Sequence, residues 1–290
     1  MKLLYTSDLH GEISLYQDLS TLANSSSAEI IALGGDLLPS LPPSKRYEDM
    51  IPNQKNFVDE FLLPLFRKIL ETISVRQIFL IPGNWDLAYP YLFREPIEGI
   101  IDLSQKNYRL ENGYEVIGYP FVPPTPFRPK DYEKMDDPEA PWPPQKNPSY
   151  IRASEQSDHL LPIDPHIYLR KRERIGEDLT QLPKPLSYRK AIYVMHSPPF
   201  ETKLDLIQGG KSAGSRSIKT FIEGNQPLLT LHGHIHESPE VSGAYLDRIG
   251  ETLSINPGQS ARSGRDLIKL HAVTFEMEDM KETLTHTCFQ

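Results

Sequence analysis

Three features of this 290-residue chain predict an α/β fold with a largely parallel core sheet. Short apolar segments alternate with segments of helical periodicity over the first hundred residues. Polar residues with metal-binding chemistry follow one apolar segment after another, and the carboxyl ends of strands are where open α/β sheets build their sites. Apolar residues make up 38% and charged residues 24% of the chain. That is the balance of a globular protein long enough to bury a core without disulfide staples.

Taken in order, Lys2 to Thr6 is short, apolar and bounded by polar residues, as a strand is. Ser14 to Leu22 places Leu15, Leu19 and Leu22 at helical spacing. Glu29 to Leu33 reads as a second strand, ending in Gly34-Gly35-Asp36. Phe57 to Ile73 is apolar at positions 57, 58, 61, 62, 65, 66, 69, 70 and 73. This is an amphipathic helix that Pro64 should kink or divide. Ile78 to Ile81 is a buried-type strand closed by Pro82-Gly83, and Tyr114 to Gly118 is another strand.

The composition then changes, with 12 of the 46 residues from Pro120 to Pro165 being proline. Pairs such as Pro123-Pro124 and Pro143-Pro144 forbid a helix or an inner strand there. Phe121, Phe127, Tyr132, Trp142 and Tyr150 make this insert one that packs down, as a lid does. Beyond it, Pro165 to Leu182 reads as a helix with a charged face and Ala191 to Met195 as a strand leading into His196. Ser217 to Ile222 is helical, and the strand Leu228 to Leu231 leads into Gly233-His234-Ile235-His236. Leu253 to Ile255 and Leu267 to Phe275 close the chain. A single domain over residues 1–290 is expected, with the Pro-rich insert at about 120–165.

The net charge of −8 argues against nucleic acid as a partner, because phosphate contacts need a basic footprint. The single cysteine, Cys288, excludes an intramolecular disulfide and any cysteine-based zinc site, and reads as incidental. No run approaches the roughly 18 apolar residues of a membrane span. The first residues lack the apolar stretch of a signal peptide, so a cytoplasmic protein is expected.

The chemistry lies after the strands: Asp8-Leu9-His10, then Asp36, Asn84-Trp85-Asp86, His196, and His234-Ile235-His236. Residues i and i+2 of an extended chain point to the same side, so Asp8 with His10 and His234 with His236 can each face one ion or two adjacent ions. Oxygen and imidazole donors without thiolate suit manganese, iron or zinc. Seven such residues exceed what one ion with open positions needs, and two ions sharing a carboxylate fit the count.

In this order, Asp8-x-His10, Gly35-Asp36, Gly83-Asn84-Trp85-Asp86, His196 and Gly233-His234-x-His236, followed by Asn256-Pro257-Gly258, the motifs resemble those of the calcineurin-like metallophosphoesterases. The resemblance runs from residue 8 to residue 258. It implies a four-layer fold, a central β-sandwich flanked by helices on both faces. By analogy one divalent ion takes Asp8, His10, Asp36 and His236, and the other takes Asp36, Asn84, His196 and His234, with Asp36 bridging. The ions implied are manganese first, with iron or zinc as alternatives. A hydroxide held between them would attack phosphorus in line.

Trp85 departs from the family pattern, which has a histidine there that is thought to protonate the leaving oxygen. An indole N–H donates a hydrogen bond but does not titrate. The substrate then carries a good leaving group, or Asp86, His159 or His166 acts instead, or the enzyme is weak. Tryptophan can also stack on a base or ring, or simply belong to the core. The expected function is hydrolysis of a small phosphoester, with diester favoured over monoester. A catalytically weak scaffold for a protein partner is the alternative, and a repair-type nuclease ranks below both because the chain is acidic.

Overall fold

The core strands read as unbroken apolar runs because both of their faces are covered. A computed structural model describes residues 1–40, 46–87, 97–136, 142–145, 148–152, 159–259 and 269–289. The first sheet is built on β1 (Lys2–Thr6), β2 (Ile30–Leu33), β3 (Gln77–Leu80) and β4 (Ile100–Asp102), joined by helices α1 (Ile13–Ser25), α2 (Met50–Phe57) and α3 (Leu63–Thr72). Next come β5 (Asn107–Arg109), β6 (Glu115–Tyr119), the hairpin β7 (Ser149–Arg152) and β8 (Leu160–Ile163), then α4 (Pro165–Arg170) and α5 (Ile175–Gln181). The chain continues through β9 (Ala191–Met195), β10 (Leu206–Ile207), β11 (Lys211–Ser212), α6 (Arg216–Asn225), β12 (Leu229–Leu231), α7 (Ser238–Ser242), β13 (Leu246–Ile249) and β14 (Thr252–Ile255). It finishes with β15 (Leu270–Glu276), α8 (Met280–Thr283) and β16 (Thr285–Phe289).

The alternating rhythm predicts one core sheet, but the strands divide into two. One runs β16-β15-β1-β2-β3-β4 and the other β13-β14-β12-β9-β6-β5. Within each, the strands that lead into the polar motifs are parallel neighbours: β1, β2 and β3 in the first sheet, β9 and β12 in the second. Alternate side chains build the layers. Leu3, Tyr5, Ile30, Ala32 and Phe79 face Ile192, Val194, Leu229 and Leu231 across the space between the sheets. Leu4, Ile31, Leu33, Ile78 and Leu80 face α1, α2 and α3 through residues such as Leu19, Ile51 and Phe66. Ile117, Tyr119, Tyr193 and Met195 cover the second sheet's outer face against α5 and α6. The four-layer arrangement implied by the family resemblance is therefore present. No described helix is long and apolar enough to cross a membrane.

Four expectations are corrected in detail. The helix over Phe57 to Ile73 begins earlier, at Met50, and a π-helical turn at Val58–Leu62 precedes Pro64. The wider turn absorbs the N–H that proline lacks, so the helical run is divided without being ended. The single helix over Pro165 to Leu182 is two. Asp164 caps α4, and Glu177 accepts from the backbone N–H of Arg174 at 2.8 Å to begin α5. The break lets Arg172 turn inward, where its Nη1 donates to the carbonyls of Lys130, Asp131 and Glu133. The Pro-rich segment is not irregular throughout either: β7 and β8 pair within it, on an isolated ribbon where Pro162 disrupts no inner strand. The strand expected from Leu267 begins at Leu270, and residue 267 lies outside the described residues.

The insert is anchored by buried charge. Lys134 Nζ meets the Asp178 carboxylate of α5 at 2.6 and 2.7 Å, and Tyr119 donates to the same carboxylate at 2.9 Å. Asp136 accepts from the backbone N–H groups of Arg216 and Ser217 at the start of α6. Lys130 is fully buried and donates to Glu133 at 2.9 Å and to the carbonyls of Thr125 and Phe127. Removing one member of such a pair strands the other charge, which costs roughly 3–5 kcal/mol, whereas replacing both costs little. Lys130→Ala is therefore expected to lower stability by about that amount in urea denaturation, and the double variant Lys130→Met with Glu133→Gln to recover most of it.

Candidate metal centre

The site lies where the carboxyl ends of the two sets of parallel strands meet. β1, β2 and β3 of the first sheet deliver Asp8, His10, Asp36 and Asn84; β9 and β12 of the second deliver His196, His234 and His236. Backbone hydrogen bonds continue past the strand ends and hold the loops in step. Asp8 donates to Gly35, His10 to Asp36 and Gly11 to Leu37, while Gly233 donates to His196.

Six of the seven side chains predicted from the motifs come together, in two groups that share one residue. Asp8, His10, Asp36 and His236 offer donor atoms within 4.8 Å of one another, and so do Asp36, His196 and His234. Asp36 Oδ2 lies 3.8 Å from His10 Nε2 and 3.5 Å from His196 Nε2. His10 Nε2 and His236 Nε2 are 3.1 Å apart, and His236 Nε2 is 3.3 Å from Asp8 Oδ1. Asn84 lies between Gly83 and Trp85, whose backbones both approach Asp36; it is fully inside the protein, and neither its side-chain oxygen nor its nitrogen has a hydrogen-bond partner. The buried Nε2 of His196 makes no hydrogen bond and faces Asp36 Oδ2 at 3.5 Å, while its Nδ1 is fixed by the Gly34 carbonyl at 2.7 Å. Buried polar atoms without partners are rare and costly, so these point to a missing cation. Two anionic oxygens, an amide and four imidazoles form a donor set suited to divalent metals of intermediate softness.

The backbone is shaped for this convergence at a cost. Asp8, His10, Asp36 and His234 all have positive φ, of 59°, 44°, 52° and 67°. Each left-handed residue with a Cβ costs about 1 kcal/mol or more, and such strain concentrates at functional sites. Glycine is required beside them for space: a Cβ at Gly83 would strike Asp36 and His196, and one at Gly233 would strike Ser7 and Asp8.

Without a cation, the carboxylates and imidazoles compensate one another. Burial alone would raise the Asp8 pKa, but His236, His196 and His10 outweigh it and hold the carboxyl well below its usual range. Burial depresses His196, yet Asp36 and Asp8 overcome that and lift it to about 9. His236 is raised by Asp8 in the same way against its own burial. His234 is pushed down to about 3 by burial and then by the charge of His196.

Trp85 is half-buried and packed against the first core, with its ring 5.2 Å from that of Phe127 in the insert. Its backbone N–H donates to Asp36 Oδ1 at 2.8 Å, so the residue orients the shared carboxylate through its main chain. Asp86 is buried and accepts from the backbone N–H groups of Gly83, Leu37 and Leu38 at 2.8 to 3.1 Å. It braces the loops after β2 and β3. Burial and then the Asp36 charge push it up to about 7 against those amides. His159 and His166 are exposed and belong to neither group, and His166 packs on Trp142. His232 is buried and tied to the carbonyls of Met195 and Ser197 and to Thr230, a structural role.

Sequence reasoning missed two supports. Gln54 of α2 is fully buried, donating to the Trp85 carbonyl and accepting from the Leu87 N–H at 2.7 Å each. Its only sign in the sequence is an amide beside an apolar helix face. Asn256 donates to the carbonyls of Gly233 and Ile235 and so shapes the His234-His236 loop. The Asn-Pro-Gly turn marked its position but not its task.

Because a cation takes only a neutral imidazole, the raised proton affinity that Asp36 and Asp8 give His196 and His236 opposes cation binding as pH falls. Affinity for a divalent cation is therefore expected to fall as pH drops from about 9, with one to two protons released per chain. Titration calorimetry in buffers of different ionisation enthalpy checks this; a heat independent of buffer would contradict it. Gly83→Ala is expected to destabilise the fold by about 1–3 kcal/mol and to weaken cation binding in the same experiment.

Residues 1–238 match the family model described as calcineurin-like phosphoesterase. No curated protein matches the chain. Among solved structures, the protein TT1561 of Thermus thermophilus is 18% identical with a TM-score of 0.53, the overlap covering 100% of this chain and 99% of that one. A dimetal phosphatase from Danio rerio is 8% identical with a TM-score of 0.50, covering 94% of this chain and 92% of that one. At such identities the likeness speaks for the fold alone. The family match covers most of the sequence, and the chain belongs to the calcineurin-like phosphoesterase family of metal-dependent phosphoester hydrolases.

Proposed function

We propose that this family member hydrolyses small phosphodiesters, with two divalent cations, manganese by preference, held by Asp8, His10, Asp36 and His236 and by Asp36, Asn84, His196 and His234. The observation that carries the reading is the sharing of Asp36 between two donor groups, together with buried side-chain atoms of Asn84 that have no hydrogen-bond partner. A scaffold has no use for such atoms, which cost stability unless a cation satisfies them. When bound, paired divalent cations lower the pKa of water and neutralise charge on phosphoryl oxygens. The chain's own contribution is placement. Asp86 and Gln54 fix the loops, the Trp85 N–H aims Asp36, and Asn256 shapes the loop of His234 and His236.

Trp85 stands where the family has its proton-donating histidine. Trp85 does not titrate, and Asp86 is engaged by three backbone amides. A substrate whose leaving group departs unprotonated suits this arrangement, and the half-buried Trp85–Phe127 pair offers an aromatic wall for an aryl or base-bearing group. The net charge of −8 favours small substrates over nucleic acid, and oligomeric assembly plays no part in the reading.

Manganese-dependent hydrolysis of bis-p-nitrophenyl phosphate tests the proposal. Turnover should vanish, together with cation binding, in Asp36→Asn; full retention of both would refute the reading. Trp85→His should leave the nitrophenyl substrate little changed and speed a diester with an alkoxide leaving group by about 10²-fold or more, the scale of a general acid.

A further inference from the structure

A third donor group shares no residue with the two described above. His271 on β15 and Cys288 on β16 are direct cross-strand partners, and His286 lies two residues before Cys288 on the same face of the strand. Their donor atoms lie within 4.8 Å of one another. Cys288 Sγ is 3.7 Å from His271 Nδ1. A tetrahedral zinc ion with bonds of about 2.1 Å to nitrogen and 2.3 Å to sulfur separates these atoms by about 3.6 Å.

The imidazoles are oriented as ligands are. His286 Nε2 donates to the Pro257 carbonyl at 3.1 Å, which leaves Nδ1 its lone pair, and Tyr245 stacks on the ring at 4.2 Å. His271 hydrogen-bonds the same carbonyl. A backbone carbonyl on the far nitrogen is the usual device for fixing a metal-binding histidine. Burial lowers the proton affinity of both rings. Cys288 is exposed, so its thiol can lose a proton to solvent on coordination. Counting cysteines finds sites built from several thiolates; a mixed site needs only one, brought opposite histidines by strand register.

We propose that His271, His286 and Cys288 form a separate binding site for zinc or a similarly soft divalent cation, with the fourth position open to solvent. Two imidazoles and a thiolate are the donor chemistry of zinc, unlike the thiolate-free centre between the sheets. The site joins the edge of the first sheet to the Asn256-Pro257-Gly258 turn. Gln259 then links that turn to His236, accepting from the His271 N–H and donating its own N–H to the His236 carbonyl. A cation here therefore braces the backbone behind the phosphoesterase centre.

The test uses the full chain without a histidine tag and cobalt(II) or zinc(II) as the probe. Because Cys288 is the sole thiol, a near-ultraviolet thiolate-to-cobalt charge-transfer band can arise only there. The band should appear in the unmodified protein, persist in Asp36→Asn and disappear in Cys288→Ser. Zinc at one equivalent beyond the centre's needs should slow alkylation of Cys288 about tenfold or more, and His286→Ala, checked for folding by circular dichroism, should abolish that protection. Absence of the band, alkylation indifferent to zinc, or protection that survives His286→Ala would overturn the proposal. So would a band lost in Asp36→Asn. None of these results depends on phosphodiester turnover, so the two proposals stand or fall separately.

Discussion

Everything around the centre follows from the need to hold Asp36 between two groups of imidazoles. Its carboxylate is buried, its backbone is left-handed, and its two oxygens are already divided, Oδ1 taking the Trp85 N–H and Oδ2 facing His10 and His196. A lone buried carboxylate would protonate or drag in water. Here four imidazoles surround two carboxylates, and the charge is shared in internal ion pairs. The loops bear backbone strain that only a rigid scaffold can support, and two sheets covered on both faces provide it.

The fold was legible to the extent that periodicity is local. β1, β2, β3, β9 and β12 could be placed from short apolar runs ended by glycine, proline or a charged residue. Their division into two sheets could not, because pairing partners such as Leu3 and Phe275 lie far apart in sequence and every core strand reads alike. Short edge strands such as β5, β13 and β16 were missed because they mix polar and apolar residues with no sustained pattern. Arg172 and Lys130 show the same limit: each looks like a solvated charge, and each is turned inward by a loop geometry that sequence spacing does not encode.

At the centre the donors were legible because their chemistry is unusual for residues following apolar strands. Their grouping around Asp36 came from family resemblance; in space Asp8, His10, Asp36 and His236 form one group and Asp36, His196 and His234 another. The supports were not legible. Gln54, Asn256 and Asp86 act through backbone groups, and a side chain that hydrogen-bonds main chain leaves no mark of what it positions. Cys288 reads as incidental in the sequence, and His271 and His286 give no signal there, for a related reason: their proximity depends on the register of β16 on β15.

That register has a temporal side. β1 carries Asp8 and His10, and it lies between β2 and β15, with Lys2 opposite Glu276. During synthesis on the ribosome the amino-terminal strands can pair among themselves early, but β1 remains an open edge until residue 276 has emerged. Contacts so distant in sequence form slowly, and an exposed apolar edge invites association with other chains. The flank of the strand that leads into Asp8 and His10 is thus closed only by a segment more than 260 residues further along the chain.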